Sequence, residues 1–210
     1  MSHYLTLARD GVAEIEVKRS RFLCTVERVG TEQAARAVVE RLRKQHGDAR
    51  HHCSAFVLGP DAAVERSSDD GEPAGTAGAP MLEVLRGHAG EGVSDVVAVV
   101  TRWFGGTLLG AGGLVRAYGD AVRAGLEVAG TRRRELVREL RLELGHGDVG
   151  RVESELRTRG VAVLDTTYGA QVGLLLGVSP GDVAQLHAWI AELTGGTLVA
   201  EPVGERWVDR

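Results

Sequence analysis

Three carboxylates stand close together at Asp69, Asp70 and Glu72, inside the stretch SSDDGEPAGTAGAPMLEVL at 67–85. Clustered carboxylate oxygens are what hard cations such as Mg²⁺ or Ca²⁺ take as ligands, but the spacing lacks the further oxygens and distal glutamate of a twelve-residue calcium loop. The same residues suit backbone work. Asp69 and Asp70 can accept hydrogen bonds from following N–H groups, Gly71 and Gly75 can take positive φ, and Pro73 fixes a turn. Carboxylates ahead of a helix also suit its dipole, and Thr76 stands just before the next element. No metal and no cofactor is expected from this pattern.

A second stretch, TRWFGGTLLGAGGLVRAYG at 101–119, places Gly105, Gly106, Gly110, Gly112 and Gly113 between a valine-rich run and a helical pattern. Glycine turns from strand to helix are where phosphates often sit, on free N–H groups at the positive end of a dipole. The P-loop pattern is absent, and GAGGLV fails the dinucleotide fingerprint, which needs glycine where Val115 stands. The glycines equally permit close backbone contact at a strand–helix corner. Arg102 and Arg116 can flank an anion or pair with the acidic loop. If the two stretches converge in an open cleft, they form a site. If both are buried at a junction, they are architecture.

Other chemistry is sparse. Arg43, Lys44, Arg50 and His51 form a local basic patch that can touch phosphate or simply solvate a helix end. The adjacent His51 and His52 point to opposite faces of a strand and make a poor pair of metal ligands. Cys53 beside His52 fails as a nucleophile–base pair for the same reason. Neither a GxSxG elbow nor an HExxH zinc motif occurs, so no catalytic residue is assigned. Cys24 and Cys53 lie in apolar runs and read as buried free thiols.

The elements that must position these residues follow from periodicity. Alternation over AEIEVKRSRFLCTVERV (13–29) predicts two strands, or one bent near Arg19–Arg21. Thr31 is placed as N-cap of an amphipathic helix that stops at Gly47. HHCSAFVLG predicts a strand, Pro80 falls in the first turn of a helix, and SDVVAVVTRWF predicts a central strand buried on both faces. A helix runs from the glycine turn to Gly130. Beyond it the expected order is a strand over about 135–144, a helix capped by Asp148, the strand pair VAVLDTTYG and AQVGLLLGV, a helix opened by Ser179–Pro180, and a last strand TLVAEPV. That order, β-α-β-β-α-β, is the split βαβ of ferredoxin-like domains. The predicted class is α+β, with domains at 1–130 and 131–210.

A chain of 210 residues, 43% hydrophobic and 26% charged, reads as an ordinary globular protein. The N-terminus lacks the apolar core of a signal peptide, which points to the cytoplasm. No run approaches the roughly 18 apolar residues of a membrane span, so no membrane partner is expected. Net charge is −4, with 15 basic against 17 acidic residues before Gly130 and 10 against 12 after it. Nucleic-acid contact therefore needs a local patch, and sequence-specific DNA binding is not expected.

The blocks SRF at Ser20–Phe22, DDGEPAGTAGAPML at Asp69–Leu82 and VTRWFGGTLLGAGGLVRAYGDAV at Val100–Val122 together resemble the IMPACT/YigZ family. Trp103 departs from it, since the family more often carries tyrosine there; another aromatic fits the same space. The tail from about Arg134 to Val203 looks like the extra domain of bacterial two-domain members, on pattern alone. The resemblance implies an N-terminal domain with the fold of the second domain of a small-subunit ribosomal protein, as in domain IV of elongation factor G. It implies a C-terminal ferredoxin-like domain, as in domain V of that factor. It further implies a binding protein near translation, touching RNA or ribosomal components through Asp69, Asp70, Glu72, Thr76, Arg102, Gly105, Gly106, Gly110, Gly112, Gly113 and Arg116. The resemblance also implies a fold shared with small-molecule kinases of the GHMP class, which leaves an enzyme or phosphate-ligand binder as the alternative, and GTLLGAGGL leaves room for a protein partner.

Overall fold

The computed structural model describes residues 2–210 as two compact units, His3–Arg133 and Arg134–Arg210. The first opens with β1 (His3–Leu7), β2 (Gly11–Val17) and β3 (Ser20–Arg28), followed by α1 (Glu32–Gln45), β4 (His51–Leu58) and β5 (Val64–Ser68). Then come α2 (Gly78–Gly87), β6 (Val96–Trp103) and α3 (Ala111–Ala129). The alternation at 13–29 resolves as a hairpin in which Val17 pairs Ser20. Its two-residue turn, Lys18–Arg19, has φ of 49° and 68°, the left-handed pair that matches the twist of antiparallel strands. Thr31 caps α1 by accepting from the Ala34 N–H at 3.1 Å.

Strands β2 to β6 form an antiparallel sheet in the order β2-β3-β6-β4-β5. The continuous apolar text of β6 has a direct cause: both of its faces are covered. Val96, Ala98 and Val100 join Met81, Leu85, Tyr118 and Leu126 of α2 and α3 in one core. Val97 and Val99 meet Ala35, Val38 and Leu42 of α1 in another. Strand β5 was not predicted, because VERSS carries almost no apolar signal; it is an edge strand whose partner is β4, and Ser67 and Ser68 belong to it rather than to the loop. Strand β1 was also unforeseen; the Ser94 N–H donates to its Leu5 carbonyl at 2.9 Å.

The second unit contains β7 (Thr131–Leu144) from Arg134 onward, then α4 (Val149–Thr158), β8 (Ala162–Tyr168), β9 (Val172–Val178), α5 (Val183–Thr194) and β10 (Glu201–Asp209). Pairing runs β10-β7-β9-β8, with every neighbour antiparallel. Alternate residues Leu140, Leu142 and Leu144 pack with Leu174 and Leu176 against Leu156, Leu186 and Ile190, so the run after Gly130 is strand and not helix. Two expectations shift. Asp148 stands at the start of α4 without a side-chain cap bond. The last strand begins at Glu201 rather than Thr197, because Gly195 and Gly196 at positive φ carry the cap of α5 and Thr197 bonds back to Thr194. The molecule is thus α+β, with two antiparallel sheets and five α-helices among the described residues.

Candidate functional site

Asp69 organises the acidic loop from inside. Its carboxylate accepts three backbone N–H bonds, from Gly75 at 2.8 Å, Ala77 at 3.0 Å and Gly78 at 2.8 Å. Ala77 offers α2 no side-chain cap, so Asp69 supplies the missing acceptor from upstream. Burial raises the pKa of this carboxyl, but the three N–H donors outweigh that and hold it below the usual aspartate range. Thr76 closes the turn, its hydroxyl donating to the Pro73 carbonyl at 2.7 Å.

Asp70 faces the other way, with φ at +41°. One of its oxygens accepts the His52 N–H at 2.7 Å, and the other accepts from Arg43 at 2.9 Å. Its carbonyl accepts from Nδ1 of His51 at 2.9 Å, which fixes the proton on that nitrogen. Arg43 and His51, two members of the basic patch, therefore anchor the acidic loop, while Lys44 and Arg50 stay exposed.

Glu72 and Arg102 join the two sequence stretches. Their side chains are 4% and 7% exposed and lie 2.5 Å apart. The Tyr118 hydroxyl donates to the same Glu72 oxygen at 2.7 Å, and Cys53 Sγ lies 3.3 Å from that hydroxyl and 3.0 Å from the Asp69 carbonyl. The Arg102 guanidinium lies 5.3 Å from the Phe22 ring centroid and 5.8 Å from that of Phe104, and its Nε is buried without a hydrogen-bond partner. Ser20 Oγ accepts from the Gly105 N–H at 3.1 Å. Burial pushes the Cys53 thiol up to about 12 and raises Tyr118 as well, so both stay protonated at neutral pH. The stretches do converge, but at a buried strand–helix junction rather than in an open cleft. Among the described residues no group of three or more His, Cys, Asp or Glu side chains is placed to hold a metal ion.

Sequence reasoning did not place Ser20, Phe22, Cys53 and Tyr118 in this network. The SRF block was the available signal for the first two. The tyrosine gave none, since its spacing only marks the buried face of α3.

The Impact N-terminal domain matches residues 18–126, and a domain of unknown function (DUF1949) matches 142–197. IMPACT family member YvyE of Bacillus subtilis (strain 168) is 41% identical over 193 residues, covering 92% of this chain and 88% of the relative. The chain belongs to the IMPACT family. IMPACT family member YigZ of Escherichia coli (strain K12) is 40% identical over 185 residues, 87% of this chain and 89% of that one. A solved structure titled as the crystal structure of a hypothetical protein shares 38% identity and a TM-score of 0.64, covering 97% of this chain and 98% of its own.

In this IMPACT family chain the exposed remainder of the signature is the segment from Phe104 to Gly113. Phe104 is 48% and Leu108 84% exposed. Gly105 is required on steric grounds: a Cβ there would lie 2.0 Å from the Arg19 carbonyl carbon. Gly106 and Gly110 take φ of 83° and 72°, and Gly110 and Gly112 face open space. Gly113 is nearer to Leu109, whose Cβ would stand 3.0 Å from an added methyl. Helix α3 starts here without a side-chain cap. Arg19 donates to Thr107 Oγ1 at 3.0 Å, and Arg21 lies 4.8 Å over the Trp103 ring. Arg116 takes no part in the buried network; it lines a groove between α2 and α3. No helix among the described residues is long and apolar enough to cross a membrane.

Proposed function

We propose that this chain is a binding protein acting in translation or its regulation, and that it contacts RNA or ribosomal components through the exposed part of its signature. The carrying observation is the tie between Arg19 and Thr107. It brings the basic hairpin tip, Lys18 to Arg21, against the glycine loop with its exposed Phe104 and the uncapped start of α3. Cations and helix N–H groups suit phosphates, while an exposed ring and an arginine stacked on Trp103 suit unpaired bases. Asp69, Asp70 and Glu72 have their carboxylates occupied by protein donors, so they act as the frame of this surface. The two units, read as relatives of elongation factor G domains IV and V, fit the same setting.

The test is binding of a fluorescent single-stranded RNA, and of ribosomes, at about 50 mM salt, where phosphate contacts are strong. Arg19→Gln and Phe104→Ser each weaken binding by about tenfold, and affinity falls steeply as salt rises. Undetectable binding at low salt, or variants that bind like the parent chain, rejects the proposal.

A further inference from the structure

The buried network accounts for Asp69, Asp70, Glu72, Thr76 and Arg102, but three other signature residues, Arg116, Gly119 and Asp120, are outside it. All three line the groove between α2 and α3, whose volume is about 540 Å³, within the range of small-ligand pockets. Arg116 is exposed and has no hydrogen-bond or ion-pair partner among the described residues. By contrast Arg123 on the same wall pairs with Asp120 at 2.7 Å, and Glu83 opposite pairs with Arg86 at 2.5 Å. Pro80, Val84 and the 40% exposed Val115 supply apolar lining. His88 at the end of α2 has its pKa lowered by burial and contributes a neutral ring.

Gly119 is the informative position. Glycine inside a helix is unfavourable relative to alanine, so it calls for a reason. At Gly125 of the same helix the reason is contact, since a Cβ would stand 2.9 Å from Cys24 Sγ. Gly119 is buried, and an added Cβ there meets the Arg123 guanidinium, Nη1 at 3.4 Å and Nη2 at 3.8 Å, and Val84 Cγ2 at 3.6 Å, ordinary van der Waals distances to the ends of side chains. The fold does not demand glycine there, yet a methyl group would fill the groove floor.

We propose that this groove binds a carboxylate carried on an apolar stem, with the carboxylate on Arg116 and the stem over Gly119 between Val84 and Val115. A guanidinium fork donates to carboxylate and phosphate oxygens alike. Charge balance decides between them: Glu83 and Asp120 are each already paired with an arginine, so Arg116 leaves one unmatched positive charge, which a singly charged carboxylate neutralises and a dianionic phosphate exceeds. The carboxylate can come from a free small acid or from the C-terminus of a peptide with an apolar last residue.

Calorimetric titration of the full chain tests this, using 4-methylpentanoate, its amide, isopentyl phosphate, and a leucine-ended tetrapeptide with a free or an amidated C-terminus. A carboxylate is expected to bind at least about tenfold more tightly than its amide or the phosphate. The tighter of the free acid and the tetrapeptide names the source. Arg116→Gln is expected to abolish that preference with an unchanged melting temperature. Gly119→Ala is expected to raise the melting temperature while weakening binding about tenfold, a combination that damage to the fold cannot produce. Absence of binding by both carboxylates, equal binding of acid and amide, tighter phosphate binding, or parent-like binding by both variants overturns the proposal.

Discussion

Arg102 and Glu72 illustrate how a charged signature can be inward work. A buried ion pair survives only when geometry and extra hydrogen bonds offset the desolvation of both partners, and Tyr118 and Ser20 supply those bonds here. Glu72→Gln leaves the Arg102 charge buried without its counter-ion, and we expect a loss of about 3–5 kcal/mol in urea denaturation. The double replacement Glu72→Leu with Arg102→Met should recover most of that loss, because neither charge then remains. Asp69 makes a pH-dependent contribution. Its folded-state pKa lies below the ordinary value, so its stabilisation is complete above about pH 4 and fades as pH falls further. Asp69→Ala should cost about 1 kcal/mol at pH 7, with the gap to the parent chain closing in denaturation curves as the pH falls below the ordinary aspartate range. From the sequence, Asp69 and Asp70 were legible as backbone acceptors, since their neighbours are glycine and proline. That Glu72 turns inward was not legible, because its partners Arg102 and Tyr118 lie 30 and 46 residues away.

The hairpin β2–β3 is the element that ties stability to the proposed surface. Lys18 and Arg19 both adopt left-handed backbone conformations that cost non-glycine residues about 1 kcal/mol or more each. Lys18→Asn with Arg19→Gly places the favoured residues in this turn and should stabilise the chain by about 1 kcal/mol in thermal or urea unfolding. The same change removes two cations and the bond to Thr107, so RNA affinity should fall while stability rises. Long periodic elements such as α1 and α3, and the valine run of β6, could be read from the text because their burial is one-sided or complete. The short edge strand β5 could not: VERSS is exposed on most of its length and is held as strand by backbone pairing with β4, which leaves no hydrophobic trace.

At the scale of the molecule, each unit carries a hydrophobic core of its own. Leu174 is fully buried among Leu140, Leu142 and Leu176 in the second unit, and Leu174→Ala should cost about 2–5 kcal/mol there. Hydrogen exchange should then show lost protection across 134–210, with the amides of β6 and α3 in the first unit retaining theirs. The β-α-β-β-α-β order was legible because helix and strand periods alternate cleanly after Gly130; the bounds of β10 were not, since a proline and a bulge at Pro202–Gly204 mask its alternation.

The bonds of Asp69 have a further consequence, for the order of events in folding. Its three contacts close loops of only 6 to 9 residues, whereas the Glu72–Arg102 and Glu72–Tyr118 contacts span 30 and 46. Closing short loops is entropically cheap, so the turn over 69–78 can assemble as soon as β5 and α2 meet. The buried charge pair must wait for β6 and α3 to arrive. In that order Arg102 meets a loop whose backbone is already set, and its charge and that of Glu72 leave water together.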